Sequence, residues 1–439
     1  MRKFSSLIAV VGPVSIKGLG DALQYYIALR CLKDLIPKDL LFFAKDAALS
    51  LLIFKDASIQ SLNCRFTNRE VVRYFFKLFL SSDTSSPTSV AEINNNYIGV
   101  LRHFVHDSPL FEINQLSIPL IRLLFSFSGC AIGGHTITEE INFYSEQYIN
   151  LRHATKGPLI TFPLSVSKLT LLKERSSISV LRKALSKMDV IFTRGPYSSK
   201  ILKEIGVDEN KIIIAPDSAF GAKIFFNNSE FSCKSCLKDK GEKFKVLIIP
   251  ETTFFFSYER RDLLPLYLKN LRKVVQLLVE KYEADIILGS TKLDHLDRFS
   301  HLCYSKGYEG NIKVFKPKSL EDLIRTIANT SLVITGKYHG GVTSLCYGIP
   351  AIFSQPFDET KVNDTLALLN LDKEVFLLDI FSFKDLKEFK LCQQVNKIME
   401  NHSVISRMLS TKVKSLSPLI TLPALVFYKL LRGVCPSYG

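Results

Sequence analysis

The sequence contains no run of about 18 uncharged apolar residues, the length an ordinary membrane-spanning helix needs, and such a span is therefore not expected. Two segments approach that length. Residues 118–134 are interrupted by Arg122, and residues 416–431 mix Pro418 and Pro423 with Leu, Ile, Val and Phe before Lys429 and Arg432. The second reads either as a packed terminal helix or as an interfacial anchor on an acidic membrane. Only Arg2 and Lys3 precede the first short apolar segment, which runs into glycines, so no signal peptide is expected. The nine cysteines, an odd count at irregular spacing, form no disulfide framework and fit a reducing, cytoplasmic setting. Cys233 and Cys236 make one CxxC without the second pair or nearby histidine that a zinc site requires. No HxxxH pair or close carboxylate cluster is present, so no metal is expected.

A chain of 439 residues exceeds one ordinary core, and 47% hydrophobic against 23% charged composition suffices to bury two. Lys and Arg number 57 against 42 Asp and Glu, a formal charge of +15, which implies anionic partners: phosphorylated metabolites, acidic glycans, lipid headgroups or nucleic acid. The basic residues are scattered, and no RNA-recognition, zinc-finger or helix-turn-helix signature occurs, so nucleic acid is not the expected partner.

Strand and helix patterns alternate along the chain, which predicts α/β architecture with parallel sheets. Strands are expected at 6–11, 130–134, 159–162, 190–193, 211–215, 245–249, 285–288, 312–315 and 332–335; helices are expected to about Leu35 and over 178–187, 198–205 and 262–282. Residues 81–96 turn to Ser, Thr, Asn and Pro and read as a loop or excursion. The lysine-rich stretch 227–243 reads as a linker. The expected organisation is an N-terminal α/β domain (1–226), that linker, a C-terminal α/β domain (244–400) and a helical tail (401–439), with the ligand in the cleft.

The segment 332–353 says most about chemistry. A helix opening at Ser319 carries Glu321 and Asp322 in its first turn and Leu320, Leu323, Ile324, Ile327 and Ala328 on one face. A buried strand follows. Gly336 breaks it, Gly340 and Gly341 are expected to let the backbone approach a ligand, and Gly348 and Pro350 end a short helix. His339 is thus placed where a strand's C-terminal end meets a helix N-terminus, the edge where α/β sheets bind phosphate or carboxylate.

Read in order, Gly18-Leu-Gly20-Asp21, Ile132-Gly133-Gly134, Phe192-Thr-Arg194-Gly-Pro-Tyr-Ser198, Pro216-Asp217-Ser-Ala-Phe220, Lys337-Tyr-His339 through Gly348-Ile-Pro350, and Lys361 resemble the landmarks of the polysaccharide pyruvyltransferase family. These enzymes pyruvylate cell-wall and exopolysaccharide sugars. The resemblance spans residues 12–361 and implies two Rossmann-like parallel-sheet domains in a glycosyltransferase-B-like arrangement. Two departures stand out: Lys337 replaces the usual arginine and cannot make its bidentate fork, and His135 follows the glycine pair where glycine or serine is more usual.

The resemblance implies phosphoenolpyruvate as donor substrate, with no cofactor, and a sugar, glycan or lipid-linked glycan as acceptor. It places Arg194, His339 and Lys361 against the donor. Ketal formation needs fixed cations for the acidic donor and one group that titrates near neutrality. Arg194 is either a bidentate clamp or a cap on the next helix. His339 is a general acid or a phosphate contact, Lys361 a pocket cation or a solvated side chain, and Asp21 an acceptor base or an N-cap. Asp217 either orients basic residues or ends a strand. Lys337, Gly340, Gly341, Gly18, Gly20, Gly133 and Gly134 complete the expected binding set, while His135 and Glu139 are candidates to face an acceptor. The other histidines, including His103, His106, His153, His295, His301 and His402, read as plain surface or core residues. Two further readings remain: a nucleotide-sugar glycosyltransferase of the same architecture, with Glu359 as the ribose carboxylate, and a catalytically silent glycan- or lipid-binding scaffold.

Overall fold

A computed structural model describes residues 8–11, 19–36, 40–43, 128–137, 141–226, 243–250, 261–289, 311–317, 319–355, 360–380 and 382–433. Gly18, Glu139, Glu359, the 81–96 stretch, the CxxC pair and nearly all of the 227–243 stretch lie outside these residues, as do His103, His106, His295 and His301.

The first half carries a parallel sheet of β1 (Ile8–Val11), β2 (Leu40–Phe43), β3 (Gly129–Ile132) and β5 (Leu159–Thr161) in the order β2-β1-β3-β5. A short parallel pair, β4 (Thr136–Ile137) with β6 (Ser165–Val166), lies just beyond β3 and β5 in the chain. Parallel bridges Ile160 to Val190 and Leu164 to Thr193 extend the array to β7 (Ile191–Thr193), which pairs with β8 (Ile212–Ile214).

The second half is a six-stranded sheet: β9 (Lys245–Ile249), β10 (Asp285–Gly289), β11 (Ile312–Phe315), β12 (Leu332–Thr335), β13 (Ala351–Gln355) and β14 (Leu377–Asp379). Every pairing is parallel, in the order β11-β10-β9-β12-β13-β14. The order reverses between β9 and β12, and in such sheets the crevice at that point binds ligands. The central strands are apolar without alternation, β12 and β13 being buried throughout, because helices cover both faces. The helix Leu320–Ala328 shows the local logic. Ser319 Oγ caps it by accepting the Asp322 amide at 3.1 Å, and Leu320, Leu323, Ile324 and Ile327 are buried, each worth roughly 1.5–3 kcal/mol over exposure.

The expected α/β class is borne out, with differences at element ends. The helix expected at 178–187 runs Arg175–Leu185, and the one expected at 198–205 starts earlier, as Pro196–Glu204, because proline suits the first helical position. The helix after β1 spans Leu19–Leu35, so Gly20 and Asp21 lie inside its first turn and Asp21 is not its N-cap. The helix Tyr338–Cys346 likewise takes in His339, Gly340 and Gly341.

One hydrophobic core runs through both halves, joining Ile27, Leu32 and Phe220 to Val342, Leu345 and Leu416. An apolar interface of this kind opposes free hinge motion. The chain ends in the helices His402–Ile420 and Leu422–Leu431, which bury Leu409, Val413, Leu416, Ile420, Val426 and Phe427. The last helix returns to the first half, packing on Leu19–Leu35 and bringing Leu431 and Phe427 against Gly129. Residues His402–Leu431 are nevertheless long and apolar enough to pass as a membrane span by length and composition; Thr421 divides them, and part of their apolar surface packs into the core while Val404, Leu419 and Leu425 stay exposed.

Candidate active site

The strand ends of the two sheets meet. Arg194 directly follows β7, and its amide donates to Leu164 O at 2.8 Å, which carries the sheet register to that residue. Its side chain is 2% exposed, and Nε lies 2.8 Å from Asp217 Oδ2 and 3.2 Å from the Pro163 carbonyl. Both contacts use Nε. The two Nη groups make no protein hydrogen bond among the described residues, so the planar fork is held at its base with its prongs unused.

Asp217 follows β8 and caps the turn Ser218–Gly221, its Oδ1 accepting the Ala219 amide at 2.8 Å. Its Oδ2 faces Arg194, Gln24 Nε2 at 3.5 Å and His339 Nε2 at 3.6 Å. The last distance is long for a hydrogen bond and suits a charge contact when the ring is protonated. Burial alone would raise the Asp217 pKa, but Arg194, then His339 and the Ala219 amide, outweigh it and hold the carboxyl below its ordinary value.

From the second half, β12 ends at Thr335, and Thr335 Oγ1 both accepts the Lys337 amide and donates to the Lys337 carbonyl, each at 2.9 Å. Gln355 Nε2 donates to Gly336 O at 2.8 Å, fixing the turn from the end of β13. The helix Tyr338–Cys346 starts at once, with Lys337 half-buried at its N-cap. Tyr338 is buried and organises the cluster. Its ring lies 5.2 Å from Arg194 Cζ, 5.5 Å from Lys361 Nζ and 5.1 Å from the His339 ring, and its hydroxyl meets Thr365 Oγ1 at 2.8 Å. Both cations are within cation–π range. Burial, with Asp217 nearby, pushes the Tyr338 hydroxyl far above its usual pKa, so the ring stays neutral. Arg194, His339 and Lys361, taken from 145 residues of sequence separation between the first two, thus gather around one ring and one carboxylate.

Other expected positions do different work. Gly341 sits where a Cβ would fall 2.2 Å from the Phe353 ring, so it lets the helix lie on β13 and does not serve ligand approach. A Cβ at Gly134 would fall 2.1 Å from Gln24 Nε2 and 2.4 Å from Pro163 O, so protein fills that approach too. Gly133 and Gly340 are buried beside them. His135 does not face the cleft: it is buried, its ring nitrogens lie 3.0 Å from Gly133 O and 2.6 Å from the Tyr148 hydroxyl, and it stacks on Tyr144. Burial lowers its pKa to about 4, with the charge of Arg194 adding to the effect against the Gly133 hydrogen bond, so it is neutral and structural. His402 is a core residue bonded to Ser331 O at 2.7 Å, and His153 is exposed. Among the described residues no group of three His, Cys, Asp or Glu is placed to hold a metal ion.

The sequence reading missed Tyr338 as an organiser, Gln24 and Asp364. Asp364 is fully buried and accepts the Tyr197 and Ser198 amides and the Ser198 hydroxyl. Burial raises its pKa to about 6 against these hydrogen bonds. Gln24 was detectable as a polar residue on the buried stripe of its helix; Asp364 gives no local signal beyond lying one turn after Lys361.

Several solved structures are similar to this chain over nearly its whole length. S. aureus MnaA, solved with UDP, aligns over 99% of each chain at 10% identity and a TM-score of 0.54. A putative UDP-N-acetylglucosamine 2-epimerase from Listeria monocytogenes aligns over 98% of this chain and 96% of its own at 11% identity and 0.54. Anabaena Alr3699/HepE in complex with UDP aligns over 98% of each at 10% and 0.50. At such identities they show the fold, the glycosyltransferase-B-like pairing of two parallel sheets, and nothing about the reaction. No curated protein matches the chain. The family model for polysaccharide pyruvyl transferase, however, matches residues 19–354, from the helix that carries Gln24 to the end of β13, and by that match the chain belongs to the polysaccharide pyruvyl transferase family.

Proposed function

We propose that this protein transfers the enolpyruvyl group of phosphoenolpyruvate to two hydroxyls of a sugar in a cell-surface polysaccharide or its precursor, forming a pyruvate ketal and releasing phosphate. The observation that carries this reading is the Arg194 guanidinium, held through Nε on Asp217 with no hydrogen bond from either Nη among the described residues, and sharing the Tyr338 ring with Lys361. Such a fork pairs with a planar carboxylate or a phosphate in bidentate fashion. Phosphoenolpyruvate carries both groups on one carbon.

In this mechanism Arg194 and Lys361, with Lys337 at the helix start, hold the carboxylate and phosphate. His339, whose Nε2 lies beside the buried Asp217 carboxylate, gives a proton to the methylene carbon. One sugar hydroxyl adds to the cationic C2 and loses its proton. Phosphate leaves with its C–O bond pair, and the second hydroxyl closes the ketal and loses its proton in turn. Asp21, three residues before Gln24 in the first helix, is the proposed acceptor base. The reaction needs no cofactor. We place it in the cytoplasm on a free or lipid-linked glycan, with the exposed Lys414, Lys429 and Arg432 of the tail helices available for peripheral contact with an anionic membrane.

The test is thermal stabilisation of the full chain by phosphoenolpyruvate, by UDP-sugars and by inorganic phosphate, followed by acceptor-dependent phosphate release. Selective stabilisation by phosphoenolpyruvate, lost in His339→Gln and Lys361→Ala, is the expected result. Selective response to a UDP-sugar would move the assignment to glycosyl transfer, and no response to any ligand would support a silent scaffold.

A further inference from the structure

The helix Pro196–Glu204 begins two residues after Arg194, and it does not cap itself. Its N-cap is Gly195, which has no side chain, and Pro196 has no amide to satisfy. The next two amides, Tyr197 and Ser198, donate to Asp364 Oδ1 at 2.7 and 3.1 Å, and Ser198 Oγ donates to Asp364 Oδ2 at 2.5 Å. The cap therefore comes from the other half of the molecule. Asp364 belongs to the helix Thr360–Leu368, which follows β13, and it is fully buried. Gly195 makes the approach possible: a Cβ there would fall 2.6 Å from Asp364 Cβ and 2.8 Å from its Oδ1. Ser198 Oγ also accepts the Val166 amide at 3.0 Å, which ties the carboxylate through one hydroxyl to β6.

This junction lies one helical turn from each cation of the cluster. Lys361 precedes Asp364 by three residues on one helix, and Arg194 precedes Ser198 by four on the other side. Thr365, adjacent to Asp364, holds the hydroxyl of the ring that both cations face. Moving the Asp364 contact would move Lys361 relative to Arg194.

We propose that Asp364 is a positioning residue: it supplies across the cleft the cap that the Arg194 helix lacks, and so sets the spacing between Arg194 and Lys361 for a ligand with two anionic groups. The identity of that ligand rests on the donor reading above, whereas the clamp does not.

The experiment pairs amide hydrogen exchange of the ligand-free full chain with steady-state kinetics on phosphoenolpyruvate, in wild type, Ser198→Ala, Ser198→Thr and Asp364→Ala. Ser198→Ala should speed exchange in residues 360–368 of the opposite half, and Asp364→Ala should speed it in 196–204, each by about tenfold. KM for phosphoenolpyruvate should rise about tenfold with kcat within about threefold, and Ser198→Thr, which keeps the hydroxyl, should restore both. Unchanged exchange in the opposite helix overturns the clamp. Faster exchange with unchanged KM overturns the positioning role and leaves Asp364 a cap only. If the wild-type protein shows no dependence on phosphoenolpyruvate, the donor reading fails by itself, and the reciprocal exchange effect decides the clamp.

Discussion

The two halves contribute to the cluster under different conditions. Arg194 and Asp217, from the first sheet, are 2% and 0% exposed at their side chains and complete one another, whereas His339, from the second, is 13% exposed and stands at longer range from the same carboxylate. A buried ion pair of this geometry is costly to disturb and slow to rearrange. A partly exposed histidine can be reached by solvent and ligands. The first half is thus the fixed side of the cleft and the second the responsive side, and the sharpest experiments are those that exchange these characters.

The largest effect is expected on the fixed side. Asp217→Ala strands a buried guanidinium and removes the cap of the 218–221 turn, and should cost about 3–5 kcal/mol of unfolding free energy in urea at pH 7. The folded-state pKa of Asp217 is depressed, so its contribution is complete above its unfolded value of about 4 and is lost as pH falls through the lower folded value. The gap between wild type and variant should therefore hold from pH 8 to 5 and narrow only in stronger acid. A gap below about 1 kcal/mol at pH 7 would mean that the pair is not a fixed element of the cleft.

Second comes the seam where the responsive side is mounted. Gly341→Ala drives a methyl into the Phe353 ring and should cost about 1–3 kcal/mol, read as a lower thermal midpoint. A neutral result would show that the helix carrying His339 can lift from β13 without penalty.

These two glycine and carboxylate positions also show what the sequence could and could not convey. Much of the second sheet was readable: 246–249 and 332–334 are apolar runs, 312–315 sets Lys313 among apolar residues, and Ser319 announces its helix by local chemistry, whereas β14 was not expected. Arg194, His339 and Lys361, which gather around the Tyr338 ring, were legible as candidates because each stands at a strand end or just beyond a motif. What failed were inferences about what a glycine makes room for. Gly134 and Gly341 do permit close approach, but of Gln24, Pro163 and Phe353, which are distant in sequence and invisible to a local pattern. His135 failed for the same reason, since its partner Tyr148 is fixed only by packing of the helix Ile141–Ala154. Asp364 is the extreme case: its three donors lie more than 160 residues away.

His339→Gln should separate stability from chemistry on the responsive side. The ring is not closely hydrogen-bonded to Asp217 at 3.6 Å, so unfolding should shift by under about 1 kcal/mol, while phosphoenolpyruvate-dependent phosphate release should fall by about 100-fold or more, the usual weight of one proton donor. A loss of stability matching that of Asp217→Ala would erase the distinction between the two halves.

The smallest effect on folding, and the most informative about specificity, is expected at Lys337. Its backbone is pinned by Thr335 Oγ1 on both the amide and the carbonyl, so the local turn does not depend on the side chain. The half-buried side chain starts from the N-cap of the helix that carries His339. Lysine offers a point charge there, and arginine would offer a second planar fork. Lys337→Arg should leave the unfolding free energy within about 0.5 kcal/mol of wild type. If the side chain meets the donor, KM for phosphoenolpyruvate should fall several-fold with kcat unchanged, because added contact to an already bound anion strengthens ground and transition states alike. A fall in kcat would instead mean that the longer fork pulls the anion away from His339, and an unchanged KM would place Lys337 outside the donor site and leave Arg194 and Lys361 as its cations.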